Sequence, residues 1–348
     1  MRMLVTGITA GLEDRPWLQV ACSEGRRHGL DIAYFDLVDR MTRGGEKPME
    51  RLLGTTDYIL ELIREREYER IGFEIEKHDH QHVIVRAPAT VEWNRINRKF
   101  KDSKYIREFI APDVIVTLID AEWLIQQRLE APPAHDTFLR AIKERNHTIH
   151  EILSWINEEV SLSEDWAKQM NVRHVVMAVR EPVQTLLTFF LDPDATLFYA
   201  SYSMTHADPA VRVQVTEFIQ RLRWYGAVID PQSIEISTGT DPVDPKDREA
   251  TYSFTVHRDL HWYVGKCDAT VAIHPYLDRP PLSTGMMDEL GHARDYHKTR
   301  YMIFPHATSP FVTESYIDKG HVFVTGAEFF AHLEHDDHLP PRFKRLYE

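Results

Sequence analysis

Short apolar segments alternate with helical segments along the first half of this chain, and this alternation restricts the fold more than any other feature. Five segments have the length and apolar content of buried strands: Met3–Thr6, Asp31–Leu37, His82–Arg86, Val114–Ile119 and His174–Val179. Helical patterns lie between them, for example over Asp57–Glu69 and Asp136–Glu159. Buried strands joined by helices form a parallel sheet that is covered by helices on both faces. We therefore predict an α/β fold.

The pattern begins again after Leu191–Asp194, whose sequence Leu-Asp-Pro-Asp is typical of a turn or linker. The predicted elements that follow are strands at Leu197–Ser201, Ala269–Ile273 and Tyr301–Phe304 and helices at Pro209–Tyr225 and around Glu289. These elements predict a second, smaller α/β domain. We place the first domain at residues 1–192 and the second at residues 195–348.

Composition restricts the class of partner. The 348 residues carry a net charge of −13, which argues against binding to nucleic-acid backbones because such binding needs a basic surface. No apolar run is long enough to span a membrane, and the N-terminus has no signal-peptide pattern. The two cysteines, Cys22 and Cys267, form no metal or disulfide motif. We expect a cytoplasmic protein that acts on a small molecule, with no membrane or nucleic-acid partner.

Two carboxylates surround one predicted strand–helix unit of the second domain. Asp259 lies in Arg258–Trp262, and Glu289 lies thirty positions later in Ser283–Ala293. Glu289 is expected in the first turns of a helix that begins at Ser283 and Thr284. A carboxylate nucleophile beside a helix N-terminus that can bind an anion is suited to cleaving the glycosidic bond of a nucleotide.

The second half of the chain resembles the nucleoside 2-deoxyribosyltransferase family. The resemblance is carried by Arg258-Asp259-Leu260, by Cys267–Ala272 and by the pattern Ser283-x-Gly285-x-x-x-Glu289-Leu290-Gly291-x-Ala293. It is closer to the branch of 2′-deoxynucleoside 5′-monophosphate N-glycosidases, and it extends from about Leu197 to the C-terminus. It implies a flavodoxin-like α/β domain, a nucleotide substrate, no cofactor and no metal.

The resemblance also implies roles for individual residues. Glu289 matches the nucleophile of the family, and Asp259 matches the second carboxylate, which orients the site or transfers protons near the leaving base. Tyr199 and Tyr202 both match the tyrosine of the substrate loop, which lies against the sugar or the nucleophile. The sequence leaves the choice between the two tyrosines open.

A phosphate site is implied at the start of the Glu289 helix. Base-exchanging nucleoside enzymes of the family have a carboxylate six positions before the nucleophile, whereas the monophosphate hydrolases have serine, as this chain does at Ser283. Ser283, Gly285 and the free N–H groups of the helix would bind a 5′-phosphate. Ser309 is a second candidate contact. In relatives such a residue can come from a neighbouring subunit, so the resemblance implies a homo-oligomer.

Each of these residues also has a simpler interpretation. Glu289 would be a surface residue paired with Arg294 or Lys298, and Asp259 and Ser283 would be helix N-caps. The tyrosines would be core aromatics. At the level of the whole protein, the alternatives to a hydrolase are a base-exchanging deoxyribosyltransferase and a nucleotide-sensing or interaction protein without catalysis.

The first half weakly resembles P-loop nucleotide kinases of the adenylate kinase type. A working phosphate loop needs the pattern G-x-x-x-x-G-K-[ST], whose lysine contacts the phosphates. This chain has glycines at Gly7 and Gly11 but no lysine, and two acids follow at Glu13 and Asp14. Arg15 is the nearby cation. We predict a degenerate kinase fold that serves as a scaffold, a sensor or an oligomerisation surface. The alternatives are an active kinase and a nucleotide-binding domain that does not transfer phosphate.

Two histidine-rich stretches contain residue types that bind zinc. They are His78–His82 and His332–His338. We interpret both as solvated loop residues, because the predicted glycosidase chemistry requires no metal.

Overall fold

The computed structural model describes residues 1–8, 12, 14–43, 49–78, 80–93, 96–130, 147–203, 209–235, 245–274, 283–306, 309–318 and 320–348. The chain forms two compact units. The first unit contains Met1–Val183 with Pro242–Tyr252, and the second contains Gln184–Asp241 with Ser253–Glu348.

The first unit is built on a five-stranded sheet. Its strands and those of a separate hairpin are β1 (Arg2–Thr6), β2 (Ile32–Asp36), β3 (His82–Arg86), β4 (Thr90–Trp93), β5 (Ile96–Lys99), β6 (Val114–Ile119) and β7 (Arg173–Ala178). Its helices are α1 (Asp14–Arg27), α2 (Leu37–Thr42), α3 (Met49–Leu53), α4 (Asp57–His78), α5 (Ser103–Tyr105, continued by a π turn at Ile106–Ile110), α6 (Glu122–Glu130) and α7 (Ile149–Met170).

The first sheet is parallel throughout, with the strand order β2-β3-β1-β6-β7. Counted along the chain without the β4–β5 hairpin, this order is 2-3-1-4-5, which is consistent with the P-loop kinase-like sheet predicted from the sequence. The central strands β1 and β6 are almost wholly buried because helices cover both faces of the sheet. The predicted α/β class is confirmed.

The second unit has a sheet of its own. Its strands are β8 (Leu197–Tyr202), β9 (Ala227–Ile229), β10 (Ala269–Ile273), β11 (Thr299–Ile303) and β12 (Val322–Phe323). The helices that lie in it wholly or in part are α8 (Val183–Leu191), α9 (Pro209–Leu222), α10 (Arg248–His257, continued by a π turn at Arg258–Val264), α11 (Thr284–Asp295), α12 (Pro310–Ser315), α13 (Gly326–His335) and α14 (Lys344–Tyr347). The first half of α10, up to Tyr252, belongs to the first unit. A short 3₁₀ turn lies at Pro231–Ser233.

The second sheet is also parallel, with the order β9-β8-β10-β11-β12. Numbered within the unit this order is 2-1-3-4-5, the arrangement of flavodoxin-like folds. In such sheets the chain crosses from one side to the other beside the first strand, and ligands bind outside the carboxyl ends of the strands at that point. In this unit that position lies between β8 and β10.

The two faces of the second sheet pack against different helices. Ala272 of β10 and Met302 of β11 contact Met286 and Leu290 of α11. On the other face, the sheet packs against α9 and α13. The strand residues in this cluster include Phe198, Ala200, Tyr202, Val271, Tyr301 and Phe323. Successive side chains of a strand point to opposite faces, so each strand contributes to both clusters.

Among the described strands, four were not predicted from the sequence: β4 and β5 of the hairpin and the edge strands β9 and β12. A strand of two or three residues has too few positions for an alternation to be visible. The predicted helix start at Asp136 lies outside the described residues. Among the residues that the structure describes, no helix is both long and apolar enough to cross a membrane.

Candidate functional site

Glu289 lies on the second turn of α11, facing the sheet. The helix begins after Ser283, whose hydroxyl accepts a hydrogen bond from the N–H of Met286 at 3.2 Å and so caps the first turn. Met286, Leu290 and Ala293 are its buried residues, at a spacing that places them on one stripe. Glu289 lies next to this stripe, so when the stripe packs on the sheet the carboxylate of Glu289 lies against the sheet as well.

Two hydroxyl groups of β8 hold the Glu289 carboxylate. The Tyr199 hydroxyl donates to Oε1 of Glu289 at 2.7 Å, and the Ser201 hydroxyl donates to Oε2. Tyr199 and Ser201 are two positions apart on a strand and therefore share one face. Both carboxylate oxygens are engaged by donors from the first strand of the sheet, which restricts the rotamer of Glu289.

Asp259 lies in the π turn that continues α10. The turn is closed by the Gly265 N–H, which donates to the carbonyl of Leu260 at 3.1 Å. The buried Arg258 donates from Nε to the Asp259 carboxylate at 2.9 Å and from Nη2 to Glu235 at 2.8 Å. π turns are rare and often occur at functional sites.

The carboxylates of this cluster influence each other's protonation. Burial and, after it, the negative charge of Asp259 raise the pKa of Glu289 to about 8, although the hydrogen bonds from Ser201 and Tyr199 oppose the rise. Burial also raises the pKa of Asp259, and the charge of Arg258 acts against it. The raised pKa means that Glu289 holds its proton at neutral pH.

The Tyr199 hydroxyl is itself held in its neutral form. Burial and the charges of Glu289 and Asp259 raise the pKa of Tyr199 well above its ordinary value. Its ring lies 6.0 Å from the ring of Tyr263, over which the Arg258 guanidinium lies at 5.7 Å. Tyr199 thus acts as a hydrogen-bond donor, and the aromatic contacts connect β8 to the Asp259 turn.

The structure separates the two tyrosines that the sequence left as alternatives. Tyr202 points to the face opposite Tyr199, and its hydroxyl donates to Asp230 at 2.7 Å. The contact with Glu289 is made by Tyr199. The N-cap interpretation of Asp259 does not match its position inside a continuous helical segment.

The residues expected to contact phosphate lie at helix starts. Ser283 is the N-cap of α11, as its simpler interpretation stated, and its side chain is partly exposed. Gly285 follows in the first turn, and a Cβ at this position would meet no atom within 4 Å. Ser309 caps the six-residue helix α12 through the N–H of Phe311 at 3.3 Å. Residues 275–282, which connect β10 to α11, lie outside the described residues.

Sequence reasoning assigned no role to three members of the cluster: Ser201, Arg258 and Glu235. Ser201 was accessible to a simple argument, because it stands two positions after Tyr199 on a predicted strand. Arg258 belongs to the motif that carries the family resemblance, but the resemblance implies no function for it. Glu235 lies more than twenty positions from Arg258, and their pairing at 2.8 Å depends on the tertiary fold.

In the first unit, a carboxylate of the chain occupies the turn after β1. The Gly7 N–H donates to the buried Glu159 of α7 at 2.9 Å. Glu159 also accepts hydrogen bonds from the N–H groups of Ala89 and Thr90 at 2.8 and 2.7 Å and from the Thr90 hydroxyl at 2.6 Å. Burial raises the pKa of Glu159, and these hydrogen bonds limit the rise. Thr9–Gly11 and Glu13 lie outside the described residues.

The charged residues near that turn form internal ion pairs. Arg15, the cation noted in the sequence, pairs with Asp36 at 2.9 Å and Asp39 at 3.0 Å. Asp14 pairs with the buried Arg86. An open hollow of about 440 Å³ lies beside these residues, lined by Tyr34, Phe35, Asp36, Asp39, Arg40, Arg43, Glu67 and Arg70. It is not part of the Glu289 cluster, and two of its arginines are engaged by acids, Arg40 by Glu74 and Arg70 by Glu67.

Comparison with known proteins gives a limited result. No protein-family model matches the chain, and no curated protein matches it. The solved structures that are similar include shikimate kinase from Bacteroides thetaiotaomicron, with 9% identity and a TM-score of 0.34 over 64% of this chain and 98% of that chain. Shikimate kinase from Aquifex aeolicus has 8% identity and a TM-score of 0.34 over 55% of this chain and 94% of that chain. At these values the similarity carries no argument about function, and neither structure is a deoxyribosyltransferase.

Proposed function

We propose that the second unit is a nucleoside 5′-monophosphate N-glycosidase, which releases a free base and a (deoxy)ribose 5-phosphate. The observation that carries this proposal is the Glu289 carboxylate, which is held by Tyr199 and Ser201 beside a second carboxylate, Asp259. Cleavage of an N-glycosidic bond passes through an oxocarbenium-like state, which a positioned carboxylate stabilises or captures covalently. The flavodoxin-like topology supports the location, since the donors come from the strand at the crossover point.

The proton held by the carboxylate pair has a function in this mechanism. Glu289 must be ionised to attack the anomeric carbon, and the leaving base departs more easily when it is protonated. In the free protein this proton resides on Glu289, whose pKa is raised to about 8, so in the proposed mechanism it passes to Asp259 when substrate binds and from there to the leaving base. The Tyr199 and Ser201 hydroxyls favour this transfer because they donate hydrogen bonds to the Glu289 carboxylate.

The substrate phosphate would bind at the start of α11. Six residues separate Ser283 from Glu289, a rise of about 9 Å along a helix, which is comparable with the length of a ribose 5-phosphate. The phosphate would accept hydrogen bonds from the Ser283 hydroxyl and from N–H groups of the first turn, including that of Gly285. Ser309 remains a candidate contact, contributed by the same chain or, in a homo-oligomer, by a neighbouring one.

Water would be the acceptor. It would hydrolyse the glycosyl–enzyme ester at Glu289, with Asp259 taking the proton of the water as it gave one to the base. In this step the bond between the anomeric carbon and the Glu289 oxygen breaks, the sugar gains a hydroxyl group from water, and both carboxylates return to their starting states. No metal or cofactor is required for this sequence of steps.

The test is a screen of ribo- and deoxyribonucleoside 5′-monophosphates for release of free base, read by chromatography. We expect release by the full chain and a fall of about 10³-fold or more in kcat for Glu289→Ala. Asp288→Asn, which changes an exposed acid at the adjacent position of α11, is the matched control and should retain the activity. Equal turnover in Glu289→Ala and the full chain would refute the role of Glu289.

The same assay separates the alternatives. A base-exchanging transferase would convert a labelled donor and a second free base into a new nucleoside or nucleotide, whereas a hydrolase releases the free base and the sugar phosphate and forms no new nucleoside. A nucleotide-sensing protein would bind nucleotides, detected as a rise in Tm, and release no base. Nucleotide binding without base release would favour the sensing role, and the first unit would then be tested for the binding site. In that unit Glu159 accepts a hydrogen bond from the Gly7 N–H.

A further inference from the structure

A cluster of two histidines and one aspartate lies in the second unit, away from the carboxylates described above. Each of the three residues, His321, His332 and Asp337, offers one nitrogen or oxygen atom that could bind a metal, and these three atoms lie within 4.8 Å of one another. His321 directly precedes β12, His332 lies in the last turn of α13, and Asp337 follows the end of that helix. The sequence showed only the stretch His332–His338, and the fold adds His321 to it from eleven positions earlier.

His332 has one ring nitrogen that is supported and one that is available. Its Nδ1 lies 2.8 Å from a carboxylate oxygen of Asp336. Its Nε2 is buried, makes no hydrogen bond with any described part of the chain and lies 3.5 Å from Oδ2 of Asp337. A buried ring nitrogen without a partner is unusual in a folded protein, and it points into the centre of the cluster.

The other two residues are supported in the same manner. Nδ1 of His321 lies 3.2 Å from the carbonyl of Arg300, which can only accept, so Nδ1 carries the proton and Nε2 is left with a free lone pair. Oδ2 of Asp337 accepts a hydrogen bond from the Tyr301 hydroxyl at 2.6 Å. Histidines that bind metals almost always donate their other ring N–H to a carboxylate or a backbone carbonyl. Both partners are present in this cluster.

We propose that Nε2 of His321, Nε2 of His332 and the Asp337 carboxylate bind a divalent transition-metal ion, with zinc as the best match to two imidazoles and one carboxylate. Zinc binds such ligands at about 2.0–2.2 Å, so a site with zinc bound requires the three ligand atoms to lie closer together than their present separations of up to 4.8 Å. The fourth position is left to water. All three ligands are partly exposed, so the ion has a path from solvent.

The proposed metal site is separate from the Glu289 cluster. Tyr301, which supports Asp337, packs on the face of the sheet covered by α9 and α13, whereas Ser201 lies in register with Ala272 and Met302 on the face covered by α11. The proposed metal and Glu289 are therefore on opposite faces. An ion at this position would connect the two-residue edge strand β12 to the end of α13, and it takes no part in base release.

The test uses the untagged full chain after removal of metals with a chelator. Titration with zinc, followed by calorimetry, should show one saturable site per chain, and zinc should raise Tm. Cobalt should give the visible absorption of a tetrahedral site. We expect His332→Gln and Asp337→Asn to weaken zinc binding by about 100-fold or more, and Tyr301→Phe, which removes only the support of Asp337, by about 10- to 100-fold.

The matched control is His335→Gln, which changes an exposed histidine in the same turn of α13 and should leave zinc affinity unchanged. Absence of a saturable site in the full chain, or equal affinity in His332→Gln and the full chain, would overturn the proposal. Circular dichroism of each variant shows whether it is folded, and Tyr301→Phe keeps the test valid if a ligand variant does not fold. Base release measured with and without zinc keeps this result separate from that of the proposed function.

Discussion

At the scale of single residues, Glu289 owes its chemistry to its surroundings. A glutamate on an exposed helix face is ionised at neutral pH, whereas Glu289 lies near Asp259 and is largely removed from water, so its pKa rises to about 8. Tyr199 and Ser201 stabilise the ionised form. Because Asp259 raises the pKa of Glu289 and Ser201 and Tyr199 lower it, a variant at each of these residues should shift the pKa of Glu289 in a known direction.

The pH dependence of kcat/KM should move in opposite directions in two variants. Asp259→Asn removes the negative charge that raises the pKa of Glu289, so we expect the acid limb of the profile to shift to lower pH. The maximum rate should fall about 10²-fold or more, because asparagine cannot accept the proton and pass it to the leaving base. Ser201→Ala removes a hydrogen bond that lowers this pKa, so its acid limb should shift to higher pH. Shifts of equal sign in the two variants would contradict the assignment.

Stability should also depend on the charge of Glu289. Its pKa is raised in the folded protein, so its contribution to the free energy of unfolding is fully present below its unfolded pKa and is lost as pH rises towards about 8. We expect Glu289→Gln to raise Tm relative to the unchanged protein at about pH 9, and the difference to shrink at about pH 4.

Thermal unfolding monitored by calorimetry across this pH range provides the measurement. Asp288→Asn serves as the control, since it removes a charge from the exposed neighbour of Glu289. A difference in Tm that is the same for both variants at every pH would show that Glu289 has no special destabilising charge.

At the scale of elements, the start of α11 has two separable functions. Ser283 caps the helix through its hydroxyl, and in the proposed function the same hydroxyl contacts the 5′-phosphate. Aspartate is as good an N-cap as serine, but its charge repels phosphate. Substitution at this position therefore distinguishes a cap from a binding group.

We expect Ser283→Asp to keep Tm within about 1 °C and to raise KM for the monophosphate by about tenfold or more, which corresponds to about 1.4 kcal/mol. Ser283→Ala should lose the cap, at a cost of about 1 kcal/mol in the free energy of unfolding. Steady-state kinetics with a monophosphate and with the matching nucleoside provide the measurement. An equal rise in KM for both substrates would argue against a phosphate contact at Ser283.

Strand β8 shows what can be predicted at this scale. The sequence predicted its position to within one residue, because a run of apolar residues at the start of an α/β unit is a strong signal. The alternation of side chains along a strand is sufficient to place Tyr199 and Ser201 on one face and Tyr202 on the other. Which of the two faces meets α11 depends on how the helices pack, and this cannot be inferred from the strand alone.

At the scale of the whole molecule, the chemistry proposed for the second unit should not depend on the first unit's phosphate-loop turn. Glu159 holds that turn through the Gly7 N–H and holds the start of the β4–β5 hairpin through Ala89 and Thr90. Removal of its carboxylate leaves buried N–H groups without acceptors, at about 1–3 kcal/mol for each group.

We expect Glu159→Ala to lower the free energy of unfolding by about 3 kcal/mol or more, and Tm by about 6 °C or more, with kcat/KM for base release unchanged at a temperature where the variant is folded. Glu164→Ala, which removes a partly exposed side chain of the same helix and its surface ion pair with Lys168, should change stability by less than about 0.5 kcal/mol. Loss of base release in folded Glu159→Ala would show that the site requires the first unit.

The amino-acid sequence alone determined the α/β class, the parallel sheet of the first half and the positions of the longer strands, because apolar periodicity and turn residues act over short stretches of chain. It also marked Asp259 and Glu289 as candidate carboxylates. The tertiary structure decided which groups meet: Tyr199 and Ser201 on Glu289, Arg258 between Asp259 and Glu235, and His321 beside His332. Such contacts join residues that are distant in sequence, and they depend on strand order and helix packing, which no local pattern encodes.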